Sequence, residues 1–173
     1  GAKRAFLGVR PCDLNAIGIQ DRVLTGGSYG DAIYRANRED LLTVAVNCTE
    51  PGGTCFCAST DSGPAAREGF DLGMTDVLVD GRHFFVAEIG SAAGKAVVDR
   101  AGYREAGAED WKLAEELLEQ AVAKMGRTLD TSKMRELLYR NTENPRWDEV
   151  ASRCLTCPNC TMVCPTRFCR TGE

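Results

Sequence analysis

The chain has 173 residues, of which 43% are hydrophobic and 27% charged, and a formal net charge of -4. That balance suits one folded domain, or one domain with a small appendage, and excludes wholesale disorder, collagen-like repeats and coiled coil. No apolar run approaches the roughly 18 residues of a membrane span, and an acidic chain has no bulk electrostatic case for nucleic acid.

Ala5 to Val9 predicts a short buried strand ending at a turn, Arg10-Pro11. Asp13 to Leu24 reads as a helix with Leu14, Ile17 and Leu24 on one face, stopped by Gly26-Gly27. Ala32 to Arg38 is a second, short helix. Leu41 to Val46, with β-branched Thr43, Val44 and Val46, is a strand. Cys48 to Pro64 is a loop. Thr75 to Val79 and His83 to Ile89 flank Asp80-Gly81-Arg82, a hairpin signature. His83 beside that turn is expected at the surface. Gly90-Ser91-Ala92-Ala93-Gly94-Lys95-Ala96 has the look of a phosphate loop. It has one residue too few between its glycines and Ala96 where a hydroxyl should bind Mg²⁺, so a helix start is expected instead.

The second half reads as helical. Asp110 to Met125 places Trp111, Ala114, Leu118, Val122 and Met125 near a 3.6-residue period, with Gly126 as the stop. Lys133 to Arg140 repeats the pattern. Asn144-Pro145 predicts a helix start, and Trp147, Val150, Ala151 and Cys154 carry that helix into a cysteine run. The expected class is α+β: a mixed α/β domain over residues 1–105 and a helical segment over 106–173.

Nine residues are Cys and one is His. The start, Gly1 to Val9, lacks the apolar core of a signal peptide, so a cytoplasmic, reducing setting is expected, where patterned cysteines point to metal or redox chemistry. With one His, no Ser–His–Asp or Cys–His catalytic set can be assembled, and no catalytic residue is expected. Cys154-x2-Cys157-x2-Cys160-x3-Cys164-Pro165 is the C-x2-C-x2-C-x3-C-P run that holds [4Fe–4S] clusters in bacterial-type ferredoxins. Two-residue gaps let one tight loop aim three thiolates at three corners of a cubane. In two-cluster ferredoxins the fourth cysteine serves the neighbouring cluster. A zinc knuckle is the alternative, but zinc sites pair two short Cys units or add His, and neither lies nearby.

A second set is less standard. Cys12 follows the first strand, Cys48 follows the Leu41 to Val46 strand, and Cys55 and Cys57 sit in the Gly-rich stretch Pro51 to Cys57. If the two strands are parallel neighbours, Cys12 and Cys48 emerge at the carboxyl edge of the sheet, where open α/β sheets bind ligands. Four thiols there suit an iron–sulfur cluster or a structural zinc, and buried unligated thiols are the bland alternative. Cys169 carries no assignment. Asn47-Cys48-Thr49 and Asn159-Cys160-Thr161 match the glycosylation sequon, but both middle residues are proposed metal ligands.

Gly8-Val9-Arg10-Pro11-Cys12-Asp13-Leu14, Val44 to Cys48, Pro51 to Cys57 and Cys157 to Thr166 together resemble the iron–sulfur beta subunit of soluble nickel–iron sulfhydrogenases, and the A subunit of anaerobic sulfite reductase is similar. The resemblance runs from about Ala5 to Cys169. It implies an electron-transfer subunit that relays single electrons between a flavin/nicotinamide-binding subunit and catalytic hydrogenase or reductase subunits. It also implies [4Fe-4S] clusters in a dicluster, ferredoxin-like helical region. The family pattern continues with a second cysteine quartet, absent here, so the chain is expected to be a piece of a longer protein with Cys164 serving that second cluster. Arg167 stands where the family tends to have Cys, and a cation there favours a reduced cluster. The rival expectation is a zinc-stabilised interaction module with no redox role.

Overall fold

Strand β1 (Arg4–Val9) pairs in parallel with β2 (Leu41–Val46), β2 in parallel with β3 (Leu72–Val79), and β3 antiparallel with β4 (Arg82–Ile89). The sheet order is β1-β2-β3-β4. This is the computed structural model of the protein, and it describes residues 3–164. It divides into two compact units, residues 1–128 and 129–173.

In the first unit, α1 (Pro11–Thr25) and α2 (Ala32–Glu39) cross from β1 to β2. Pro11 opens α1 rather than ending a turn, because a proline at the first helical position loses no hydrogen bond. Asp31 caps α2, its carboxylate accepting from the Ile33 and Tyr34 amides. The Asp21 carboxylate joins the two helices, accepting from Tyr34 Oη at 2.7 Å and from Arg38 Nε. The crossover from β2 to β3 contains no α-helix, only the 3-10 turn Cys57–Thr60. Asp80 and Gly81 both have positive φ (50° and 73°), as a two-residue type I′ hairpin between β3 and β4 requires. The expected surface position of His83 holds, and its Nε2 lies 2.8 Å from Asp76 Oδ1.

Helix α3 (Ala92–Ala101) starts where the phosphate-loop look-alike stands, capped by Ser91. It covers one face of the sheet, with Val98 against Val44 and Leu72. On the other face Leu14 of α1 packs with Ala45 and Phe70, and Ala114 of α4 (Ala108–Lys124) packs with Val77 and Val86. The helices therefore sandwich the sheet, as apolar stripes and alternating strands demand. The first strand departs from expectation. It is an edge strand, with Phe6 48% and Leu7 76% exposed rather than buried.

Helix α4 begins on an ion pair between the buried Asp110 and the exposed Arg104. Asp110, 8% exposed, accepts from Arg104 Nη1 and Nη2 at 2.7 and 2.9 Å and from the Gly107 amide at 2.8 Å. The Arg104 pair first, and the Gly107 amide second, pull its carboxyl from 3.8 to about 2. A depressed folded value means the contribution is complete above the unfolded pKa and is lost as pH falls through the folded one. Urea unfolding of wild type should therefore lose stability between about pH 4 and about pH 2 more steeply than Asp110→Asn. Equal acid-side slopes would contradict this role.

The second unit holds α5 (Met134–Arg140), α6 (Arg146–Ser152) and α7 (Asn159–Val163). Helix α6 stops at Ser152, so the helix expected to reach Cys154 ends just short of it, and the cysteine run starts in irregular chain. The α+β class is as expected.

Candidate metal centre

The pairing of β1 with β2 meets the condition set by the sequence. The strands are parallel neighbours, so Cys12 and Cys48 both leave the carboxyl edge of the sheet. Cys12 lies in the first turn of α1, and Cys48 starts the crossover loop. The loop then turns at Gly52, whose carbonyl accepts from the Cys55 amide at 3.0 Å, and delivers Cys55 and Cys57 to the same end.

The edge is held by polar contacts that the sequence reading did not single out. Arg10 donates to the carbonyls of Val46 and Asn47 at 3.4 and 3.2 Å, tying the end of β1 to the end of β2. Asn47 is internal. Its Nδ2 donates to Thr75 Oγ1 at 2.9 Å, and its Oδ1 accepts from the Ala66 amide at 2.7 Å. An amide spent on Thr75 is not displayed for glycosylation, so that sequon match has a structural reason. The Cys48 amide donates to Pro64 O at 3.0 Å. A Cβ at Gly63 would lie 3.0 Å from Cys57 Sγ and 3.5 Å from Pro11 Cβ, which seats Cys57 beside the start of α1. Arg10 adjoins the Pro-Cys pair and Asn47 precedes Cys48, the one local hint either residue offered.

The electrostatics agree with this crowding. Burial, then the Asp13 charge, then the Cys57 thiolate push the Cys12 thiol up. Burial, then the thiolates of Cys55 and Cys48, push the Cys57 thiol up. Cys57 thus feels all three other sulfurs. Like charges pressed together in partial burial are what a cationic metal centre neutralises, and binding releases the protons. On donor chemistry, four thiols fit an iron–sulfur cluster. Among the described residues, no group of three or more His, Cys, Asp or Glu side chains closes on one point where a single metal ion could sit.

In the second unit Cys154, Cys157 and Cys160 are exposed and Cys164 is half-buried. The Thr156 amide points at Cys154 Sγ, 3.4 Å away, and Thr156 adopts a left-handed φ of 50° that tightens the loop. Backbone N–H groups directed at sulfur lower the cost of its negative charge. Cys160 lies within α7. Cys169 and Arg167 lie outside the described residues. Among those residues, no helix is long and apolar enough to cross a membrane.

Fold and site together define an α+β chain that presents one cysteine-lined sheet edge and one ferredoxin-type cysteine run. The chain is similar to Sulfhydrogenase 2 subunit beta of Pyrococcus furiosus, with 29% identity over 169 residues, 96% of this chain and 48% of that protein. The resemblance to sulfhydrogenase beta subunits thus extends over nearly the whole chain, which spans about half the length of this curated relative. No protein-family profile matches it, and no solved structure matches it.

Proposed function

We propose that this chain is the cluster-bearing part of an electron-transfer subunit in a hydrogenase-type oxidoreductase. The observation that carries the reading is the delivery of Cys12, Cys48, Cys55 and Cys57 to one sheet edge in a chain that also contains the ferredoxin run. Cys12, Cys48, Cys55 and Cys57 would hold one [4Fe-4S] cluster. Cys154, Cys157 and Cys160 would supply three ligands of a second, with Cys164 serving a neighbouring cluster. Such clusters supply one-electron storage. The chain's own work is to hold the thiolates, direct backbone N–H groups at sulfur and limit water at the edge. Similarity to a protein named as a sulfhydrogenase subunit supports a place among other subunits; the partners proposed here are a flavin/nicotinamide-binding subunit and catalytic hydrogenase or reductase subunits, in the cytoplasm.

The test is iron and sulfide analysis with EPR on the full-length protein purified without oxygen. Wild type should be brown, with broad absorption near about 400 nm that bleaches with dithionite, as four-cysteine clusters do. Cys57→Ser should remove one signal and leave the other. Cys164→Ser should leave the signal of the Cys154, Cys157 and Cys160 cluster in place. A colourless, zinc-loaded protein would replace electron relay with a structural module.

A further inference from the structure

The carboxyl end of α4 meets the cysteine loop at three consecutive residues. Lys124 Nζ lies 2.6 Å from Glu50 Oε1. The Met125 thioether sulfur lies 4.0 Å from Cys57 Sγ. Gly126 runs so close to Gly53 that a Cβ at 126 would stand 2.1 Å from the Gly53 carbonyl oxygen. Nothing in the local pattern announces this, because the Cys57 and Met125 partners are 68 residues apart. Both are half-buried, whereas Lys124 and Gly126 on either side of Met125 are exposed. An ion pair, a sulfur–sulfur contact and a backbone apposition clamp the two ends and the middle of one short loop.

From this geometry we infer that residues 124–126 form a latch over the first thiol set, and that Met125 is its positioning residue, shielding the Cys57 sulfur from water. The inference rests on the electron-relay reading for its redox consequence and on geometry alone for its shielding. A thioether is polarisable and apolar, and it brings no donor to the sulfur it covers. Removing water and donors from a thiolate-bound centre disfavours the more negative, reduced form, because that form gains more from solvation. A cover of this kind holds the first centre at a lower potential than the same thiols would give in the open.

Two readouts on the full-length protein separate the latch from the relay. The first is the midpoint potential of the signal lost in Cys57→Ser, followed by EPR. Met125→Gln keeps the length and adds an amide donor, and it should shift that midpoint upward. Met125→Leu keeps an apolar cover and should leave it in place, as should either variant for the second centre. The second readout needs no metal. In reduced, iron-stripped protein, iodoacetamide should label Cys57 several-fold faster in Met125→Ala than in wild type, with Cys55 as the internal reference. Equal Cys57 labelling overturns the latch whether or not a cluster is present. Unequal labelling in a protein that carries no iron as purified, before any stripping, keeps the latch and removes the relay. An unchanged midpoint in Met125→Gln overturns the redox role.

Discussion

Gly94→Ala should unfold far more easily than wild type, with a loss of ~3 kcal/mol read from denaturant unfolding. A Cβ at 94 would sit 1.8 Å from the Asp71 carbonyl oxygen, a backbone atom that cannot swing aside. That oxygen already accepts from the Gly90 and Ser91 amides at 2.9 and 3.3 Å. The Asp71 carboxylate binds Ser91 Oγ at 2.5 Å and the buried Thr43 amide at 2.7 Å. Pushing α3 outward therefore loosens its own cap and the start of β3 together. Gly18→Ala is the control, since a Cβ there meets nothing within 4 Å. In the interior of α1 that change should stabilise by about 0.5–1 kcal/mol. If both variants unfold alike, α3 is not seated against Asp71. The two glycines that gave the stretch its phosphate-loop appearance thus serve close packing: a Cβ at Gly90 would likewise stand 2.2 Å from Phe70 O.

Asn47→Ala should cost about 2–3 kcal/mol, from the loss of two side-chain hydrogen bonds at a partly buried position. It strands the Ala66 amide and the Thr75 hydroxyl, the latter on a residue only 5% exposed. The larger effect is local. Asn47 pins both ends of the segment that carries Cys48, Cys55 and Cys57, so amide exchange at Cys48 and Ala66 should quicken well beyond the global change. Exchange that rises uniformly across the sheet would show that Asn47 supports the whole fold rather than the loop. Asn47→Asp keeps the acceptor for Ala66 and should recover part of the loss.

Elements whose cause is local were legible. Strand β2 occupies Leu41–Val46 as its β-branched run predicts, and the Asp80-Gly81 hairpin follows from two residues that tolerate positive φ. The meeting of Cys12 and Cys48 at one sheet edge was legible because each directly follows a strand. What the chain does at a distance was not. The strand β1 has an apolar run that fits burial, yet burial depends on strand order, which places it at an edge. Arg10-Pro11 reads as a turn, and only the chain beyond it makes Pro11 a helix opening. The stripe of α4 was visible, but not that its last turn meets a loop far upstream. Gly126 read as a helix stop, and its contact with Gly53 lies outside any local window.

The reach of that contact has a consequence for biosynthesis. Cys12, Cys48, Cys55 and Cys57 all leave the ribosome before the residues that seat their loop. At roughly 5–20 residues per second, the 68 residues from Cys57 to Met125 take about 3–14 s to make. For that interval the nascent chain carries four reduced thiols with no α4 to shelter them. Oxidation of these thiols in that interval competes with the seating of their loop, so elongation speed and the redox state around the polysome should set how many chains fold with all four thiols reduced.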